Sequence, residues 1–303
     1  MKISILLPYK ENFSPEYPGA VSLFVYETTK ISRFKKNITV FGNTDYKKIF
    51  PIKYINIKTT KNILSSQTKG YVKRFINIEK NNKSSIIEIH NRPTYVKILS
   101  SKFKKKIISL YFHNDPLSMD GSESIEDRKF LLKTCYKIIF NSNWSKKRFL
   151  EGMEGKFVNS DKLSVFYQSA NKGNLSLLKN KKKWITFVGK LNKAKGYDIF
   201  AKAIKKILDK HKDWKAIVVG DEKREKITLK HKNANILGFK KHSDVLLVKR
   251  FILSNLQKDP HFVSKNEWSG RRRNLRHPSI YMKVLRVPNP CVFVRRENTK
   301  TVK

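Results

Sequence analysis

Lys190 and Lys195 stand in a polar loop, Lys190-Leu191-Asn192-Lys193-Ala194-Lys195-Gly196, that follows an apolar run and leads into a helical pattern. Unsatisfied backbone N–H groups and the helix dipole make a helix N-terminus a place where a phosphate is held. The loop therefore suggests a phosphate-bearing ligand at Lys190 and Lys195. The plainer reading is a surface loop in a very lysine-rich chain. His113 ends another apolar run, beside Asn114 and Asp115. A histidine there could donate to a substrate hydroxyl or stabilise developing charge. Asn114, Asp115 and Pro116 could equally do no more than begin the next turn. His90 and Arg92 carry the same ambiguity: an arginine at a strand end suits an anion, or holds a loop. Gly19 lies between a long loop and a helical pattern. It either lets backbone N–H groups approach a ligand or is an ordinary helix start. Asp115, Asp120, Glu123 and Glu126 resemble a carboxylate group, but their spacing suits a solvated helix start. No nucleophile elbow, metal-ligand spacing or Walker-type loop is present.

These residues need elements to position them. Trp184 to Val188 reads as a buried strand broken by Gly189. Phe200, Ala203, Ile204, Ile207 and Leu208 then follow the 3.6-residue period of one helix face. Trp214 to Val219 is a second buried run, closed by Gly220. Together they make a β-α-β unit. Upstream, residues 2–7 read as a first strand, followed by a helix pattern from Val21 to Thr29. Ile38–Phe41, Tyr54–Ile57, Ile86–His90, Ile107–Phe112, Cys135–Phe140 and Leu163–Tyr167 read as further strands, and Tyr71–Asn81 as a basic helix. Strand after strand ends in a polar cluster with helical patterns between. That order predicts an α/β fold with parallel sheets and its sites at the strand carboxyl ends.

The chain has 303 residues, enough for about two domains. Lys and Arg number 66 against 24 Asp and Glu, a net charge of +42. Such a charge fits a nucleic-acid binder, a peripheral enzyme on an anionic inner leaflet, or a coding bias toward lysine spread over solvated surface. No RNP-type, zinc-binding or helix-turn-helix signal accompanies it, so nucleic acid is disfavoured as a partner. Two cysteines, Cys135 and Cys291, give neither a disulfide framework nor a metal site, and a reducing cytoplasm is the expected compartment. No stretch approaches the roughly 20 apolar residues of a membrane helix. The N-terminal apolar run is too short for a signal peptide.

Phe187-Val188-Gly189-Lys190-Leu191-Asn192-Lys193-Ala194-Lys195-Gly196 resembles the "FVGRL…KG" loop of GT-B-fold retaining glycosyltransferases of family 4, the "group 1" type. The resemblance covers most of residues 1–245. Tyr9 to Ser22 is similar to the family's first glycine-bearing loop, with Gly19 in the diphosphate-facing place. Glu88-Ile89-His90-Asn91-Arg92-Pro93 and Phe112-His113-Asn114-Asp115-Pro116 resemble strand ends of its acceptor domain, and Phe140 to Trp144 its "VSNW" segment. Val218-Val219-Gly220-Asp221 and Ile236-Leu237-Gly238-Phe239 resemble its "VVGDG" and "FLGF" strand ends.

The resemblance implies two Rossmann-like domains facing across a cleft, residues 1–170 for the acceptor and 171–246 for a nucleotide-sugar. It implies an enzyme of the cytoplasm or of the inner membrane face that transfers a sugar with retention to a glycan or lipid-linked acceptor, as in cell-surface polysaccharide or lipopolysaccharide synthesis. Neither metal nor cofactor is implied beyond the nucleotide-diphosphate sugar itself. Gly19, Gly189, Lys190 and Lys195 would meet the diphosphate, Gly220, Leu237 and Gly238 the nucleotide base, and His113 the reacting sugar. Arg92, Asn114 and Asp115 would face the acceptor. Lys190 stands where the family usually has arginine, which keeps the charge but loses the bidentate fork.

After Leu246 the resemblance stops. The acidic "EPFG…E" segment that grips the donor sugar does not follow. Six arginines fall in residues 1–245 and eight in 246–303. Residues 247–303 are thus expected to be either an out-of-frame tail or a genuine basic, disordered one. The second domain is expected to be incomplete and the chain's activity impaired. The alternative function is a non-catalytic basic protein that binds nucleic acid or an anionic membrane surface.

Overall fold

The computed structural model describes residues 1–59, 66–158, 160–168, 182–222, 225–240 and 282–283. The chain divides into two compact units, Met1–Ala170 and Asn171–Lys303. Both are α/β and Rossmann-like.

In the first unit, β1 (Ile3–Leu6), β2 (Ile38–Gly42), β3 (Tyr54–Asn56), β4 (Ile86–His90), β5 (Ile107–Phe112), β6 (Lys137–Phe140) and β7 (Leu163–Val165) form one parallel sheet. The strand order is β3-β2-β1-β4-β5-β6-β7. It reverses between β1 and β4, and open α/β sheets bind ligands at that switch point. The helices are α1 (Ala20–Ile31), α2 (Gln67–Asn82), α3 (Pro93–Lys102), α4 (Ile125–Thr134) and α5 (Asn143–Leu150).

Successive strand residues point to opposite faces. On one face Ile5, Leu7, Ile38 and Val40 pack under Val21 and Val25 of α1. On the other, Leu6, Phe41, Ile87, Ile89, Leu110, Phe112, Ile138 and Phe140 pack against Phe75, Tyr95, Leu99, Leu131 and Phe149 from α2 to α5. That leaves Glu88, His90, Tyr111 and His113 on the α1 side, near the carboxyl ends of β4 and β5.

Some boundaries differ from the sequence expectation. β6 starts at Lys137 rather than Cys135, because the Cys135 N–H still donates to Leu131 and closes α4. The strand expected over Leu163–Tyr167 stops at Val165. α2 begins at Gln67 and ends where Lys83 turns left-handed.

The described second unit comprises β8 (Trp184–Val188), α6 (Tyr197–Lys210), β9 (Lys215–Val219), β10 (Ala234–Ile236) and β11 (Met282–Lys283). The order is β10-β9-β8-β11. β8, β9 and β10 are parallel, and β11 runs antiparallel to β8. Tyr197, Phe200, Ala201, Ile204 and Leu208 of α6 are buried against Ile185, Phe187, Ala216 and Val218. Each large apolar side chain so buried contributes about 1.5–3 kcal/mol. The expected tail, residues 247–303, lies outside the described residues except for β11. No described helix is long and apolar enough to cross a membrane.

Candidate functional site

In the first unit the polar groups gather at the carboxyl ends of β4 and β5. Glu88 and His90 lie two residues apart on β4 and so share a face. Register pairs His90 with Tyr111, which puts His113 beside His90. His90 Nδ1 is 2.8 Å from His113 Nε2, and His90 Nε2 is 2.8 Å from Glu88 Oε1. Gln168 Nε2 reaches His113 Nδ1 at 2.5 Å. His90 is wholly buried and His113 is 8% exposed. Burial first, then the neighbouring His90, pushes the His113 imidazole well below its ordinary 6.5, so the ring is neutral. Phe24 of α1 meets the His113 ring edge-on with centroids 5.0 Å apart, and Tyr111 stacks on His90 at 4.9 Å.

The main chain of His113 is fixed from both neighbouring strands. Its N–H donates to Asn91 Oδ1 at 2.7 Å, and its carbonyl accepts from Asn141 Nδ2 at 2.7 Å. Asn91 can turn its side chain there because its backbone is left-handed, with φ +53°. The candidates beside it are placed differently. Arg92 is the N-cap residue of α3 and donates to the Asn91 carbonyl at 2.6 Å. Asn114 is exposed. Asp115 accepts from the Leu117 N–H at 3.1 Å, capping a short turn, and pairs with Arg148 at 3.3 Å. Asp115 therefore already has structural partners. Ser124 caps α4, with Glu126 and Asp127 in the first turn, so of the four acids read as a helix start only Glu126 lies in the first turn of a helix.

Gly19 is the N-cap of α1, and the space over it is filled. A Cβ there would meet Glu11 Oε1 at 1.9 Å. The same oxygen accepts from the Ser22 N–H at 2.9 Å. The α1 N-terminus thus holds a carboxylate supplied by the chain itself.

In the second unit, Gly189, Gly220 and Gly238 follow the ends of β8, β9 and β10. The Gly189 N–H donates to Val219, the Gly220 N–H to Gly238 and the Leu237 N–H to Val218. A Cβ on Gly220 would lie 1.8 Å from the Gly189 carbonyl oxygen. Leu237 and Gly238 lie just beyond β10 rather than in it. Asn192 caps the tight turn Lys193–Lys195, and Gly196, left-handed at φ +72°, is the N-cap residue of α6. Lys195 is half-buried, and burial, then the like charge of Lys190, lowers its pKa from 10.5. Lys190 is exposed. Two cations that disfavour each other beside a helix N-terminus are suited to an anion. Asn192 Nδ2 donates to Glu222 at 3.1 Å and the Lys193 N–H to Glu225 at 2.9 Å, tying the loop to the segment after β9.

Glu11, Glu88, Gln168, Glu222 and Glu225 were not among the sequence candidates. Glu88 was findable, because Glu-Ile-His places both polar side chains on one strand face. The others meet their partners only through the fold. Among the described residues no group of His, Cys, Asp and Glu is gathered that could hold a metal ion.

Residues 171–250 match the family model of glycosyl transferases group 1. A search of curated proteins finds no match. Among solved structures, the chain is similar to Anabaena Alr3699/HepE in complex with UDP-glucose, with TM-score 0.58 and 13% identity over 79% of this chain and 70% of that one. It is similar to the lipopolysaccharide outer core galactosyltransferase WaaB in its apo form, with TM-score 0.52 and 15% identity over 84% and 72%. It is also similar to UDP-GlcNAc 2-epimerase from Neisseria meningitidis bound to UDP-GlcNAc, with TM-score 0.51 and 9% identity over 82% and 75%. At these identities the likeness shows the fold alone, and the epimerase shows that one fold serves more than one sugar chemistry. The matched segment carries the lysine loop, and the chain is a protein of GT-B fold whose residues 171–250 match the model of the glycosyl transferases group 1.

Proposed function

We propose that the chain is a glycosyltransferase that moves a sugar from a nucleotide-diphosphate donor to a glycan or lipid-linked acceptor. The observation that carries this is the half-buried Lys195 beside Lys190 at the start of α6, inside the matched segment. In the reaction the bond from the anomeric carbon to the diphosphate oxygen breaks and one to an acceptor hydroxyl oxygen forms, the hydroxyl proton leaving with the diphosphate. Negative charge grows on the departing diphosphate, and Lys190 and Lys195 would offset it in place of a metal. Gly189, Gly220, Leu237 and Gly238 line the same strand ends and would admit the nucleotide. That a similar fold holds UDP-glucose in HepE supports a nucleotide-sugar as the donor.

Retention of configuration, a polysaccharide or lipopolysaccharide product, and a place at the cytoplasmic face of a membrane belong to this proposal through the sequence resemblance. In the first unit His113 would meet a sugar hydroxyl. Arg92 and Asn114 stand at the same strand ends, on the acceptor side. The α1 N-terminus at Gly19 would take a phosphate only if Glu11 moved away.

The net charge of +42 supports a second reading, a basic protein that binds polyanions without catalysis. Calorimetric titration of UDP and UDP-glucose into the full chain and Lys195→Ala separates them. The transferase reading expects saturable binding weakened roughly 10- to 100-fold in the variant, the loss of one charge-assisted contact. Binding that follows salt and is indifferent to the substitution or to the nucleotide would sink it.

A further inference from the structure

The groups around His113 form a directed chain. Gln168 presents its amide nitrogen, a donor only, to His113 Nδ1 at 2.5 Å, so Nδ1 must accept. A neutral imidazole with an accepting Nδ1 carries its proton on Nε2. His113 Nε2 therefore donates to His90 Nδ1, 2.8 Å away. His90 Nδ1 then accepts, its own proton sits on Nε2, and that proton goes to Glu88 Oε1 at 2.8 Å. Every ring nitrogen is satisfied in one direction only, and the carboxylate at the far end sets that direction. Reversing it would bring an N–H of His113 against the N–H of Gln168. The middle of the chain is buried and both ends reach solvent: His90 is wholly buried and His113 is 8% exposed, whereas the Glu88 side chain is 25% exposed and Gln168 is exposed.

We propose that Glu88 and His90 are positioning residues that hold His113 as the Nε2–H tautomer, and that Gln168 occupies the site where a substrate hydroxyl donates to His113 Nδ1. This role rests on the transferase reading; the tautomer does not. Nδ1 offers a lone pair and no proton, so it takes a hydroxyl group and turns away a phosphate oxygen. Of the groups on a nucleotide-sugar, a sugar hydroxyl fits this acceptor and the diphosphate does not. Gln168 holds the place while it is empty, and the exchange is one hydrogen bond for another. Phe24, edge-on to the His113 ring, keeps the ring plane fixed during that exchange.

The test uses the full chain labelled with 15N-histidine, read by NMR in the neutral range, with UDP-glucose as the probe. The expected spectrum shows His113 and His90 each protonated on Nε2 alone. Glu88→Met removes the acceptor that orients His90, and Gln168→Glu places a carboxylate at Nδ1 that draws a proton there. Each is expected to change the His113 nitrogen shifts. Because Gln168 is exposed, Gln168→Glu tests the chain without disturbing the core. Release of UDP from UDP-glucose is expected to show kcat lowered about 10-fold or more in Gln168→Glu, since the acceptor nitrogen is lost, while Gln168→Ala lowers KM by freeing Nδ1.

A wild-type His113 protonated on Nδ1, or a doubly protonated His90 driving the chain the other way, overturns the tautomer assignment. Binding of UDP-glucose with no change in kcat or KM in either Gln168 variant overturns the positioning role. Absence of any nucleotide binding, with the tautomers as expected, sinks the transferase reading and with it the role in catalysis, but leaves the assigned tautomer standing.

Discussion

The Glu11 carboxylate sits over Gly19 and accepts the Ser22 N–H at 2.9 Å, so the first unit caps α1 from its own preceding loop. Any side chain at position 19 must displace it. Gly19→Ala is expected to cost roughly 1–3 kcal/mol, the value of a charge-assisted bond together with the unsatisfied N–H left behind. In a Glu11→Ala background the same substitution should cost far less. A double-mutant cycle by urea denaturation reads the difference, and equal costs in both backgrounds would show that the carboxylate plays no part.

Gly220 and Gly238 are expected to respond differently to alanine, although both lie at strand ends of the second unit. At Gly220 a Cβ meets the Gly189 carbonyl oxygen at 1.8 Å, and φ is +139°. Backbone cannot move aside as a side chain can, so Gly220→Ala should cost roughly 3 kcal/mol or more. At Gly238 nothing lies within 4 Å and only φ +66° opposes a side chain. Gly238→Ala should cost about 1 kcal/mol. Hydrogen exchange of the β8 and β9 amides distinguishes the two.

Glu79 is wholly buried at the opposite, amino-terminal end of the first sheet. Burial by itself would raise its pKa, but Lys106, Ser4, Ser84 and Asn82 outweigh that and hold the carboxyl below its ordinary 4.5. The Lys106 Nζ lies 2.6 Å from it. Lys106→Met should destabilise the unit by roughly 3 kcal/mol, the low end for a broken buried pair, because the hydroxyl and amide donors remain. Because the folded pKa is depressed, the stability from Glu79 is present above 4.5 and lost as pH falls through the folded value. The penalty of Lys106→Met should shrink over the same acid range in urea midpoints, and a penalty constant with pH would contradict it.

His113 gives a second acid dependence, beginning nearer neutrality. Its folded pKa lies well below 6.5, through burial and then His90. The unfolded ring takes up a proton below 6.5 that the folded ring refuses. Stability from the neutral ring is therefore complete above 6.5 and declines as pH falls toward the folded pKa, by at most about 1.4 kcal/mol per pH unit. Urea midpoints between neutrality and the onset of carboxylate titration should fall in wild type and flatten in His113→Gln.

Much of the architecture is legible in local pattern. Ile86–His90 and Ile107–Phe112 are strands as read, because a run of β-branched and aromatic residues bounded by polar turns has few other uses. The α6 face from Phe200 to Leu208 is equally local. Boundaries were less legible where a cap competes with a strand, as at Cys135. The site divides in the same way. Glu88 and His90 share a face by their spacing, whereas Gln168 meets His113 across 55 residues, and no periodicity reports such a pair.

The sequence by itself determined which runs become strands, where they end in polar residues, and that Lys190 and Lys195 precede a helix. Alternation and helical period are properties of neighbours along the chain, so sequence contains them. Only the tertiary structure decided that Glu11 fills the space at Gly19, that Asp115 pairs with Arg148, and that Glu88, His90, His113 and Gln168 line up as one hydrogen-bonded chain. Hydrogen bonds act over about 3 Å and in fixed directions, and only the folded sheet brings atoms from distant strands to that distance.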